Sequence, residues 1–320
     1  MVSTPPLACL SVRYSPSDDL VDGTLALLEF GAKIVEPDPR RLRVPLEPLE
    51  ATPLSERWQV DAAVTHGSEK TLRWSAAGGW LFVALELSEA EFGGIDAAAE
   101  HAYRQLCRFV AAREEHHLLR IWNYLHAINE GEGDGERYRR FCMGRARGLG
   151  AYGIERYPAA TAIGHRIVPG LLQVYALCAT QPGQALENPR QVSAWRYPRE
   201  YGPTPPSFAR AMRLPGGGLA ISGTAAVVGH ASCHDQDLQA QIAETCVNLR
   251  TLLDTAVLAD FDATSPLKVY VRHPEDMQAV QAALARHLDP GVPRLILHGD
   301  ICRSELLVEI DGWRFAHARS

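Results

Sequence analysis

The 320-residue sequence has no uninterrupted apolar run of about 18 residues, so nothing in it reads as a membrane-spanning helix. It has no basic excess. The 32 Lys and Arg against 38 Asp and Glu leave a net charge of −6, which argues against a nucleic-acid surface. It has no CxxC pair, and its seven cysteines (9, 107, 142, 178, 233, 246 and 302) are odd in number and widely spread, which excludes a disulfide framework. It has neither a GK[ST] phosphate loop nor a GxGxxG fingerprint, so the acidic "GEGDGE" turn is no nucleotide cradle. Pro5, Pro6, Asp18 and Asp19 interrupt any apolar leader, and a reduced, cytoplasmic protein is expected.

What is present suits a globular chain, with 46% hydrophobic and 22% charged residues over a length that fits two domains. The first 90 residues alternate like short strands, as in "KTLRWSAAGGWLFVALEL". Ala99, Tyr103, Cys107 and Val110 then recur at helical spacing, "HLLRIWNYLHAI" reads as a buried strand, and "ERYRRFCMGRARGL" as a helix. "VPGLLQVYALCAT" suggests a strand pair or bend at Pro169-Gly170, and the Pro-rich stretch 181–206 a connector. Beyond it come two strands around the "GGG" turn, then a helix with Leu238, Ile242, Cys246, Leu249 and Leu253 on one stripe. A strand "PLKVYVRHP", a helix opened by proline and two final strands complete the chain.

Both halves repeat one order of strands and helices, which predicts an internal duplication. The expected fold class is α+β, as two sheet-plus-helix units with a pocket between them: residues 1–190, and residues 191–320. Within "ELLVEIDGW", alternation sets Glu305, Leu307 and Glu309 on one face and Leu306, Val308 and Ile310 on the other. A glutamate in an apolar strand is an ion-pair partner or a functional acid, and partial burial would raise its pKa into a useful range.

Residues 205–315 resemble the RidA (YjgF) family through "ISGTA", "NLRTLL", "LKVYVRHPEDMQAV" and a "PR" whose Arg294 precedes Glu309 by fifteen residues. Across its length the chain is similar to the chorismatases, enzymes that remove the enolpyruvyl group of chorismate. The stretches that carry this are "LLRIWNYLHAIN", "ERYRRFCMGRA", "YPREYGPTPPSFARA", "ISGTAAVVGH" and "HGDICRSELLVEIDGW". The resemblance implies RidA-like (chorismate mutase-like) units, a divergent one in the N-terminal half and one carrying the catalytic Glu in the C-terminal half. It also implies chorismate as small-molecule substrate, no metal, no organic cofactor, and a monomer or small homo-oligomer.

Chorismate carries two carboxylates, a ring hydroxyl and an enol ether. Arginine forks suit the carboxylates, and Arg145 in "GRA" and Arg210 in "FARA" are the expected clamps. Tyr124, Tyr138 and Tyr201 are candidate hydroxyl donors, although tyrosine also packs cores and interfaces, and Asn123 is expected to hold a turn. The resemblance makes Glu309 the acid that protonates the enol-ether methylene. It also associates Cys302, seven residues earlier, and Gly223 opposite, with an aromatic product, 3-hydroxybenzoate with or without 4-hydroxybenzoate. Water attack would instead yield a dihydroxycyclohexadiene carboxylate.

Two other functions remain open at this point: a RidA-type imine hydrolase using Arg294, and a non-catalytic module that binds a small carboxylate. His230, Cys233 and His234 have no matching second ligand pair and are set aside as a zinc site.

Overall fold

The computed structural model describes residues 6–31, 37–50, 54–151, 153 and 157–315. Three sheets meet face to face. The first has the order β1 (Leu10–Ser15), β5 (Ser55–Val60), β2 (Thr24–Phe30) and β3 (Arg41–Val44). The middle sheet runs β10 (Ala159–His165), β9 (His117–His126), β11 (Leu171–Ala179), β8 (Trp80–Ser88), β7 (Leu72–Ala77) and β6 (Thr65–Glu69). The third runs β18 (Arg294–His298), β17 (Leu267–Val271), β20 (Val308–Arg314), β14 (Leu219–Thr224), β13 (Ala211–Arg213) and β12 (Gln184–Leu186).

The predicted duplication is present as topology. In the middle unit β8 leads through α1 (Ile95–Ala111) to β9 and through α2 (Arg137–Gly150) to β10, which lies parallel to β9. In the third unit β14 leads through α3 (Leu238–Thr255) to β17 and through α4 (Met277–His287) to β18, again parallel. Each sheet gains a seventh, antiparallel strand from elsewhere in the chain: β19 (Asp300–Ile301) on β10, and β4 (Glu47–Pro48) on β18. A small ribbon of β15 (Val227–Val228) and β16 (Ala231–Ser232) sits apart.

Helices cover only the outer faces. Ala99, Tyr103 and Val110 of α1 bury against the middle sheet, and Ile242, Cys246, Leu249 and Leu253 of α3 against the third, as their spacing predicts. The inner faces share one core in which Trp58, Trp122, Tyr175 and Trp313 interlock, the Trp122 and Tyr175 rings stacked at 4.9 Å. Charge is buried there too: Lys268 Nζ lies 2.7 Å from Glu56 and Arg120 3.1 Å from Asp311. Such pairs are tolerated only when hydrogen-bonded on most sides, and Asp311 also accepts from Trp122, Thr161 and Tyr270.

Several expectations change. Two sheets become three, because β1, β2, β3 and β5 form a sheet of their own. The last segment holds three strands rather than two, and the middle one, β19, leaves for the neighbouring sheet. The alternation in "ELLVEIDGW" is a strand pattern only from Val308 onward. Among the described residues, no helix is long and apolar enough to cross a membrane.

Candidate active site

A cavity of about 410 Å³ opens beside the contact of β10 in the middle sheet with β14 in the third, and Glu309 of β20 also lines it. Its walls come from five places: α2 with Glu136 before it, β10, the 191–210 segment, the 223–227 stretch and the 302–309 stretch. The segment read as a connector is therefore part of the site. It adds β12 to a sheet edge and brings Gln191, Tyr197 and Tyr201 to the cavity.

Glu309 stands on β20 opposite Tyr270, its side chain turned to the cavity and only 5% of the residue exposed. Burial, then the nearby Asp311 carboxylate, push its pKa up to about 8, with Arg120, Arg210 and Arg272 opposing. No hydrogen bond to its carboxyl exists among the described residues. Burial thus favours the protonated form of this carboxyl at neutral pH. The space it occupies depends on Gly223, since a Cβ built there would fall on Glu309 Oε1. Gly223 belongs to an irregularity in β14, where pairing with β20 shifts between Ile221 and Thr224.

Four arginines line the same space, of which Arg139 is already paired with Glu136 at 3.0 Å. Arg145 is nearly fully buried and donates from Nη2 to Ser207 O at 2.8 Å, while its Nε has no partner. Arg210, also buried, donates to Val192 O and Tyr197 Oη at 2.9 and 2.6 Å, and its Nε is likewise unpaired. Both guanidinium groups belong to residues that line the cavity, and their charge suits an anionic ligand. Arg303, not singled out from sequence, donates to His230 O at 2.9 Å and lies 4.0 Å from the Tyr201 ring centroid. Its neighbour Cys302 lines the cavity as a neutral thiol, its pKa raised by burial and then by Glu309. Arg272 pins this loop through the carbonyls of Ile301, Arg303 and Leu306.

Of the residues singled out in the sequence, Glu309, Cys302, Gly223, Arg145, Arg210, Tyr138 and Tyr201 line the one cavity. Tyr124 does not. It is buried in the central core, its hydroxyl 3.1 Å from that of Tyr270 and 3.3 Å from that of Tyr175. On a strand it shares a face with Trp122, and that face packs inward. Asn123 holds no turn. From mid-strand it accepts from Tyr103 Oη at 2.6 Å and donates to Thr161 O at 2.9 Å, tying α1 and β10 to β9. Arg294, on which the expectation of an imine hydrolase rests, starts β18 and lies outside the cavity lining.

Residues 56–178 match the family model described as "Chorismatase FkbO/Hyg5-like, N-terminal". A 3-hydroxybenzoate synthase of Streptomyces hygroscopicus is 35% identical over 281 residues, covering 82% of each chain. A chorismatase of Streptomyces rapamycinicus is 35% identical over 340 aligned positions, covering 97% of this chain and 99% of that one. A chorismatase crystal structure superposes with a TM-score of 0.87 at 30% identity, covering 98% of this chain and all of that one. The chain belongs to the chorismatase family.

Proposed function

We propose that this chain acts on chorismate, releasing pyruvate and 3-hydroxybenzoate, and that Glu309 is the general acid. The single observation that carries the reading is the buried Glu309 carboxyl, its pKa pushed up to about 8, in a cavity also lined by four arginines. Protonation of the enol-ether methylene by Glu309 leaves an oxocarbenium-like carbon, which the Glu309 carboxylate then faces. Arg145 and Arg210 bind the two carboxylates and hold the ether within reach of the acid. Tyr201 and Tyr138 border the ring hydroxyl.

Rearrangement within the substrate accounts for every atom without added water, since chorismate is the sum of pyruvate and a hydroxybenzoate. Water attack on the same cation would give the diol. Cys302 and Gly223 favour the aromatic outcome, with 4-hydroxybenzoate as a minor product: the thiol is a small, weakly polar group kept neutral by burial, and the glycine leaves the opposite side open. The same reading includes a division of the chain near residue 190 and a site completed by one copy of the chain.

The test is incubation with chorismate without added metal, with pyruvate assayed and the products separated by chromatography. Pyruvate and 3-hydroxybenzoate in equal amounts support the reading. Pyruvate with a diol would remove the role given to Cys302, and no consumption would remove the reading. An imine hydrolase has less support, because Arg294 does not reach the cavity wall.

A further inference from the structure

The bulge that makes room for Glu309 is held by one hydroxyl. Thr161, on β10 and 2% exposed, lines the cavity from the opposite sheet. Its Oγ1 accepts from the backbone N–H of Gly223 at 3.0 Å and from Arg120 Nη2 at 2.5 Å, and donates to Asp311 Oδ2 at 2.7 Å. One donor and two acceptor positions are all that a hydroxyl has, and all three are used. Arg120 reinforces the arrangement by donating from the same nitrogen to Ile221 O and Asp311, at 3.0 and 3.1 Å.

The Gly223 amide lies where β14 loses register with β20, so the ladder does not pair it, and the Thr161 hydroxyl takes its place. The position matters because Gly223 and Glu309 Oε1 are packed so closely that a methyl group cannot separate them. A small shift of the bulge therefore moves the wall against which the carboxyl rests. The Thr161 backbone is itself fixed, since its carbonyl accepts from the Asn123 amide.

We propose that Thr161 is a positioning residue for the reaction, its hydroxyl joining the Gly223 bulge to the buried Arg120–Asp311 pair and so setting where Glu309 stands in the cavity. This rests on the reading of Glu309 as the acid. The group need not touch substrate. It acts through Gly223, and its loss misplaces the acid rather than the arginines that bind the carboxylates.

Thr161→Val keeps the shape and removes the hydroxyl, whereas Thr161→Ser keeps the hydroxyl and removes a methyl group. Chorismate kinetics of both, with folding checked by near-UV circular dichroism, form the test. We expect Val to lower kcat about 10- to 100-fold, with KM within about threefold of the wild type, and Ser to recover kcat to within about threefold. Should Val not fold, Thr161→Ala carries the same prediction. A hydroxyl-free variant with wild-type kcat, or a Ser variant as slow as Val, would overturn the proposal. A wild-type protein that leaves chorismate untouched would overturn the reading of the site itself, and the proposal with it.

Discussion

Glu309 and Gln173 occupy corresponding places in two sheets of the same topology. Glu309 on β20 pairs with Tyr270 of β17, and Gln173 on β11 pairs with Tyr124 of β9. Their surroundings differ completely. The Gln173 amide is fully buried and donates to Arg43 O at 2.8 Å and Glu86 Oε1 at 3.0 Å, close to the helix-free first sheet. Glu309 meets a cavity and an interrupted strand, and its carboxyl has no hydrogen bond to the described residues. One copy of the duplicated unit ties its side chain to the first sheet through the Gln173 amide N–H, with Gln173 Oε1 left without a partner, and the other turns a carboxyl to a cavity. Where a carboxyl is buried without a partner, its proton is retained near neutral pH, and retaining that proton is what an acid catalyst requires.

The largest effect should come from erasing the difference. Glu309→Gln makes the two positions alike and removes the proton donor, so chorismate turnover should fall by about 10³-fold or more while binding persists, as read by pyruvate release and calorimetry. The same variant sharpens the comparison through stability. A carboxyl whose pKa rises from 4.5 to about 8 on folding holds its proton in the folded chain and loses it in the unfolded one across that window. Stability from this site is present below pH 4.5 and is lost as pH rises towards 8. The Gln variant should therefore match the wild type near pH 4.5 and exceed it by about 1–3 kcal/mol near pH 8, measured by urea unfolding.

Next in size is Gly223→Ala, whose methyl group must displace the Glu309 carboxyl. It should lower kcat about 10- to 100-fold with the fold intact, since the neighbour that must move is one side chain. The opposite exchange, Gln173→Glu, places a second carboxyl beside Glu86 with no cavity to relieve it. A loss of about 1–3 kcal/mol at pH 8 is expected, with kcat within about threefold of wild type. The smallest effect belongs to Asp134→Ala. It breaks an exposed pair with Arg199 and should leave the urea unfolding midpoint unchanged.

How much of this was legible in the sequence depended on local pattern. The helices α1 and α3 carry wide apolar stripes, and the duplication follows from element order alone. The strand β10 was missed because "AATAIGH" is rich in alanine, which has little β preference and no alternation to read. Two-residue strands such as β4 and β19 carry no periodic signal, and their pairing with distant strands is decided by tertiary contact. Tyr124 could have been placed: alternation puts it with Trp122, and a tryptophan face within an apolar strand is a core face. Arg303 stood beside a residue already singled out, in "CRSE", yet only the folded loop brings it under Tyr201. Thr161 gave no signal, because its importance lies in a strand irregularity more than sixty residues away.

The most direct measurement is the pH dependence of kcat for chorismate, wild type beside Glu309→Gln, with products identified at each pH. A general acid of pKa about 8 predicts a flat profile up to neutral pH and, beyond pH 8, a fall approaching about tenfold per unit, with pyruvate and 3-hydroxybenzoate as products. The Gln variant should lack turnover throughout. A Gln variant that still turns over at the wild-type rate would contradict the assignment of the acid.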